Sequence, residues 1–241
     1  MSIPEGYRLV FEDHFDGTSL DESRWYYRGT GPAQCGFFAP EEVTVRDGNL
    51  VVSGRYRENG RFGPGWYAGM VAIRQRFTRG YFEARMICSE ALPKDSLWSA
   101  FWIQASHPYE AEISRGGPGG AEIDIVEAFF INGQTSVEQN IHCKGVDGST
   151  SGPGETDHLR VGVFNPPNLC TEYHVFALEW TKEAYIFYID GEEVSRTSYG
   201  NGVSQVDEEV IFSMCLPPKI AHEKDDVREL VVDYIRIYQK D

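Results

Sequence analysis

Three acids, Glu122, Asp124 and Glu127, stand within the run Ala121-Glu-Ile-Asp-Ile-Val-Glu-Ala-Phe-Phe130. Ile123, Ile125 and Val126 between them are strong strand formers. With the strand period of two, Glu122 and Asp124 point to one face and Ile123 and Ile125 to the other. The isoleucine face is a core face, so the carboxylate face is wet or lines a cleft. Glu127 is out of step. Strict alternation places it in the core, where an unpartnered ionised carboxylate costs several kcal/mol. One extra residue, a β-bulge at Ile125-Val126, returns it to the face of the other two acids. Carboxylates crowded in this way raise one another's pKa. One can then hold a proton while another attacks, which is the division of labour of glycoside hydrolysis with retention, whose two carboxyls lie about 5–5.5 Å apart. A third acid between them can tune their protonation. An acidic edge strand that discourages aggregation is the plainer alternative, but such strands do not usually alternate with large apolar residues.

Flat aromatics beside polar groups suit sugar rings, which have apolar faces edged by hydroxyls. Trp98 and Trp102 are four apart and share a face of a regular strand, as cleft platforms or as core. Trp66 lies in a Gly/Pro-rich loop, Phe62-Gly-Pro-Gly-Trp-Tyr67, as a rim platform or a loop anchor. Asn140 and His142 share a face of the next strand, and Arg74 is a candidate contact for sugar hydroxyls. His107, His158, His174 and His222 show no ligand spacing, so no catalytic metal is expected.

The elements that must position these groups are strands. The chain has 13 Tyr, 14 Phe and 5 Trp, punctuated by 25 Gly and 12 Pro. Alternating runs predict strands over 42–45, 50–54, 80–86, 172–180, 184–189, 210–215 and 231–238. Asp47-Gly48 and Asp190-Gly191 sit between such runs as hairpin turns. No stretch keeps helical periodicity for three turns; residues 226–229 allow one helical turn at most. The pattern is that of an all-β sandwich or barrel, with residues 1–241 as a single domain. Residues 114–120 (SRGGPGG) and 145–154 (GVDGSTSGPG) are expected to be long loops walling a cleft.

The 22 basic and 37 acidic residues give a net charge of −15, which disfavours nucleic acid and anionic membranes as partners. No apolar run reaches the ~20 residues of a membrane helix, and Met-Ser-Ile-Pro-Glu-Gly-Tyr7 has no signal-peptide pattern. The five cysteines have no CxxC pair and allow at most two disulfides.

The run Glu122-Ile-Asp124-Ile-Val-Glu127 resembles the bulged ExDxxE signature of glycoside hydrolase family 16. The likeness extends over the whole chain. Tyr7-Arg-Leu-Val-Phe-Glu-Asp-His-Phe-Asp-Gly17 with Trp25, Phe77-Thr-Arg-Gly80-Tyr-Phe-Glu83-Ala-Arg85, Leu97-Trp98-Ser-Ala-Phe-Trp102, Tyr173-His-Val-Phe-Ala-Leu-Glu-Trp180 and Val231-Val-Asp233-Tyr-Ile-Arg-Ile-Tyr238 are each similar to a family motif in the family's order. The resemblance implies a β-jelly-roll sandwich of two antiparallel sheets with a concave cleft. It implies Glu122 as nucleophile, Asp124 as helper acid and Glu127 as general acid/base, with no cofactor for catalysis. It also implies a cleft position for Trp180, with the core as the equal alternative, a place for His142 near the leaving-group sugar, and a structural calcium at Asp233 with the Gly48 carbonyl.

The expected activity is endo-hydrolysis of a β-linked polysaccharide by a monomer, with β-1,3- or mixed-linkage glucan as the first substrate class and β-galactans (agarase, porphyranase, carrageenase or keratan type) as the second. A transglycosylase and a non-catalytic glycan-binding jelly roll are the other readings. Laminarinase-type members usually carry Trp-Pro just before the first catalytic acid; here that place reads Gly117-Pro118-Gly119-Gly120. His14 replaces a family acid near the N-terminus, which weakens the calcium reading. The family is mostly secreted, so an extracellular location is expected, with a cytoplasmic one as the alternative.

Overall fold

The alternating runs form strands that pair almost wholly through distant segments. The computed structural model describes residue 3 and residues 5–105, 119–143, 157–198 and 202–240. In chain order the strands are β1 (Tyr7–Asp13), β2 (Trp25–Tyr27), β3 (Gly31–Ala33), β4 (Gly36–Phe38), β5 (Val43–Arg46), β6 (Asn49–Arg57), β7 (Gly65–Ala68), β8 (Met70–Ile73), β9 (Gly80–Ile87) and β10 (Trp98–Ala105). They continue as β11 (Glu122–Ile131), β12 (Gln134–Cys143), β13 (Asp157–Phe164), β14 (His174–Trp180), β15 (Tyr185–Ile189), β16 (Glu192–Thr197), β17 (Glu208–Cys215) and β18 (Val227–Lys240).

Two sheets result. The seven-stranded sheet runs β13-β12-β11-β10-β17-β8-β2. The eleven-stranded sheet runs β16-β15-β14-β9-β18-β6-β7-β4-β3, with β1 added on β18 and β5 on β6. They stack through one apolar core that joins Phe101, Ile123, Ile125, Val126 and Phe212 of the first to Phe82, Phe176, Phe187, Leu230 and Ile235 of the second. The acid-bearing strand β11 is near the middle of the smaller sheet, covered on one face by this core.

Both expected Asp-Gly turns form. Asp47 and Gly48 have φ of 52° and 71°, Asp190 and Gly191 of 50° and 91°, the left-handed pair that a two-residue hairpin needs to match strand twist. Asn132-Gly133 makes a third such turn between β11 and β12, with φ of 52° and 92°.

Three expectations change. Residues 226–229 are not a helical turn: β18 begins at Val227, which pairs with Arg55 of β6. Trp66 and Tyr67 are in a strand, not a loop. The larger sheet is not wholly antiparallel, because β4 lies parallel to β7. That pairing depends on Gly36, where a Cβ would come within 2.3 Å of the Trp66 carbonyl oxygen. Most of the 114–120 stretch and all of 145–154 lie outside the described residues.

Candidate active site

The bulge lies where the charge argument requires it. Across β10, Phe101 pairs with Val126 and Trp102 with Asp124, leaving Ile125 as the extra residue. Across β12, Asp124 pairs with Asn140 and Glu127 with Glu138. Ile125 and Val126 are both fully buried in the core, while Glu127 is only partly buried on the opposite face. The bulge thus turns two consecutive side chains inward and sets Glu122, Asp124 and Glu127 on the face away from the core.

Each acid has a different environment. Glu127 accepts from Trp98 Nε1 at Oε1, 3.0 Å, and from Asn140 Nδ2 at Oε2, 2.8 Å. Burial outweighs these bonds and, with the charges of Glu122 and Glu138, raises its pKa to about 7. Asp124 is 3 % exposed. Burial, the charges of Glu127 and Glu122, and a hydrogen bond with Glu127 keep its proton well above the usual carboxylate range. Glu122 is raised by burial, but a bond from Gln104 Nε2 and the nearby Arg28 charge oppose the rise. All three acids on this face are therefore raised, and Glu122 is the one whose rise a nearby guanidinium opposes.

The neighbouring strands complete the site. Trp98 packs on Phe129, with ring centroids 5.2 Å apart. Trp102 donates from Nε1 to Ser213 Oγ at 3.0 Å, and the Arg28 guanidinium lies 5.1 Å from its ring centroid. His142, opposite Glu122, brings Nε2 to 3.2 Å from Asp124 Oδ2, an oxygen that has no hydrogen-bond partner; the contact is close without bonding geometry. The His142 ring stacks on His158 at 4.5 Å, and burial followed by that neighbour lowers its pKa to about 4. Glu138 is buried beside Glu127 and pairs with Arg160 at 3.1 Å. Among the described residues, Glu122, Asp124 and His142 form a group able to hold a metal, with ligand atoms within 4.8 Å of one another.

The other candidates lie elsewhere. Trp180 is fully buried between the sheets, stacked on Phe82 with centroids 6.2 Å apart, and donates to the Ser204 carbonyl. It is a core residue and not a cleft residue, because its strand β14 belongs to the sheet across the core. Trp66, in the larger sheet, packs on Tyr56 of the neighbouring strand and on His222 of the connection before β18. Arg74 is at the far edge of the smaller sheet, donating from Nε to the Glu22 carbonyl at 2.7 Å beside the Tyr26 ring. Asp233 Oδ2 accepts from Arg85 Nη1 at 2.5 Å. That ion pair engages one oxygen of the carboxylate named as a calcium ligand, and among the described residues Asp233 belongs to no group of three metal-ligating side chains.

Reading the sequence did not find Gln104, Arg28 and Glu209, nor the role of Asn140. Arg28 Nη2 donates to Gln104 Oε1 at 2.5 Å, and Arg28 Nε to Glu209 Oε2 at 3.1 Å. Arg76 holds the other Glu209 oxygen at 2.9 Å. Asn140 gave a partial signal, since it shares a face with His142.

The profile of the beta-porphyranase A–D GH16 domain matches residues 10–240. The chain is 25% identical to glucan endo-1,3-beta-glucosidase A1 of Niallia circulans over 98% of its own length and 38% of that protein. It is 28% identical to beta-porphyranase E of Zobellia galactanivorans, over 78% of its own length and 69% of that protein. Its fold superposes on SCLam, a non-specific endo-beta-1,3(4)-glucanase from family GH16, with a TM-score of 0.78 at 22% identity, covering 100% of this chain and 94% of that one. It superposes on porphyranase B of Zobellia galactanivorans with a TM-score of 0.73 at 20% identity, covering 97% and 92%. The fold is therefore the β-jelly roll of these enzymes, and the chain belongs to glycoside hydrolase family 16, in its beta-porphyranase A–D GH16 domain family.

Proposed function

We propose that the chain is a retaining endo-β-glycanase in which Glu122 attacks the anomeric carbon and Glu127 protonates the departing oxygen. Water then enters with Glu127 as base, so the glycosyl–enzyme bond to Glu122 breaks with a second inversion. The observation that carries this reading is the unlike settings of the two glutamates on one face: an amide backed by the Arg28 guanidinium at Glu122 and, among the described residues, an indole and an amide with no guanidinium behind them at Glu127. Asp124, whose proton affinity is raised by burial and by the charges of Glu127 and Glu122, stands beside Glu127 as the helper acid. Trp98 and Trp102 supply flat apolar surface for sugar rings, and His142 a neutral polar contact. Glu122→Gln and Glu127→Gln test the assignment: each is expected to abolish reducing-end release, and unchanged release by either rejects it.

The proposed substrate is a β-1,3- or mixed-linkage glucan, supported by the likeness to glucan endo-1,3-beta-glucosidase A1 along nearly the whole chain. A second reading, a β-galactan of the porphyran type, is favoured by the matching family profile. A panel of laminarin, mixed-linkage glucan, agarose, porphyran, carrageenan and keratan sulfate, read by oligosaccharide release, separates them. Transfer to a sugar acceptor would show as products longer than the substrate. The protein is proposed to act outside the cell as a monomer on its polymer. Calcium is left out of the proposal because Arg85 already pairs with Asp233.

A further inference from the structure

The two glutamates are held in parallel ways with one difference. Gln104, on the strand to one side of β11, donates through Nε2 to Glu122, and its Oε1 accepts from Arg28 Nη2 at 2.5 Å. Asn140, on the strand to the other side, donates through Nδ2 to Glu127 at 2.8 Å, and its Oδ1 lies 2.8 Å from His158 Nε2. A carboxamide whose oxygen already accepts a bond can present only its NH2 group to the next acceptor. Each carboxamide is therefore fixed with its NH2 group toward a carboxylate, by a second residue one step farther out. Behind Gln104 stands a guanidinium, which stays charged at any working pH. Behind Asn140 stands an imidazole, which is not a permanent cation.

We propose that Arg28, acting through Gln104, is a positioning residue that holds Glu122 as the ionised nucleophile, while His158, acting through Asn140, orients Glu127 without imposing a fixed charge and so leaves it free to carry the proton. The inference rests on the retaining-glycanase reading and deepens it, since it says what makes one glutamate the nucleophile and the other the acid. Arg28 is itself braced. Glu209, 8 % exposed, takes its Nε at 3.1 Å and is shared with Arg76 at 2.9 Å, and the guanidinium lies over Trp102. The same cation thus meets the nucleophile's holder and an aromatic of the same face. Among the described residues the other groups acting on Glu122 are negative or neutral: Asp124 and Glu127 on its own strand, Glu208 and Cys215 on β17, and His142 opposite it on β12. Among those residues Arg28 is the cation that opposes the rise burial gives to the proton affinity of Glu122.

The test uses the whole chain labelled with 13C at glutamate side-chain carboxyls, titrated by NMR, with the Glu122 signal identified by its absence in Glu122→Gln. Arg28→Met and Gln104→Met are expected to raise the Glu122 midpoint by about one pH unit, the scale of a lost charge or hydrogen bond. Arg28→Lys should recover part of the shift. In kcat/KM the acidic limb should move up with it, a loss of about tenfold below that limb, while the plateau changes less. His158→Ala should move the basic limb and leave the acidic one in place. Gln104→Met keeps the cation and Glu209 paired, so a folding defect in Arg28→Met does not remove the test. An unmoved Glu122 midpoint in folded Gln104→Met overturns the proposal, and so does a uniform rate loss with both limbs unmoved. The NMR midpoint needs no substrate. Failure of the glycanase reading, seen as no product from any polysaccharide, is therefore distinguishable from failure of the relay.

Discussion

Trp98 donates its indole N–H to Glu127 Oε1 at 3.0 Å, from a strand adjacent to the one that carries the acid. The residue named as a candidate sugar platform therefore also holds the proposed general acid. Trp98→Phe keeps most of the aromatic surface and deletes the donor. Because that bond favours the ionised form of Glu127, its loss should raise the basic limb of kcat/KM. It should also lower kcat by about tenfold through mispositioning, with little change in KM. Trp98→Ala should raise KM as well. The pH dependence of both constants, measured for the two variants, checks this.

The wild-type profile follows from the same group. Glu127 works as an acid only while protonated, and its pKa is raised to about 7. kcat/KM should accordingly fall above about pH 7 as the proton leaves. In Glu127→Gln, assayed with an activated aryl glycoside whose leaving group needs no proton, the basic limb should disappear. Rates across pH 5 to about 9 with both proteins provide the check.

Glu208 gives a stability prediction separate from chemistry. It is fully buried, accepts from the Ala121 amide at 2.9 Å and from Ser204 Oγ at 2.5 Å through one oxygen, and has no partner for the other. Burial raises its pKa from the ordinary 4.5 to about 8. Between those values the native chain holds a proton that the unfolded chain has lost, so the unfolded state binds fewer protons and stability falls as pH rises. Its contribution is fully present below about 4.5 and is lost progressively toward 8. Glu208→Gln should flatten this slope, as measured by urea denaturation at pH 5, about 6.5 and about 8.

Trp180 should behave as core. Trp180→Ala is expected to cost about 3–5 kcal/mol in urea denaturation. Any protein that stays folded should keep its KM, because this ring reaches the Ser204 carbonyl between the sheets and not the acid face.

How much of this was legible depends on distance along the chain. The bulge could be read locally, because Glu127 in strict alternation would be a buried charge between Ile125, Val126 and the core. The Asp47-Gly48 and Asp190-Gly191 turns were equally local. Trp180 was not legible: one large aromatic on an alternating strand has the same pattern whether its face meets sugar or the other sheet. Arg28 and Gln104 are 76 residues apart and meet only because β17 and β8 order the strands between them. Nothing in either neighbourhood announces the pair. Gly36 likewise has no local signal, because its reason, the parallel approach to Trp66, exists only in the folded sheet.

The most direct measurement of the central claim is azide rescue with an activated aryl β-glycoside of the glycan that the polysaccharide panel identifies. With Glu122→Ala, azide should attack in the nucleophile's place and give the α-glycosyl azide by a single inversion. With Glu127→Ala, azide should intercept the glycosyl–enzyme on Glu122 and give the β-glycosyl azide. The anomeric coupling constants in the 1H NMR spectrum decide between them. Exchange of the two products between the variants would reverse the roles assigned here, and an α-azide from both would contradict a covalent intermediate on Glu122.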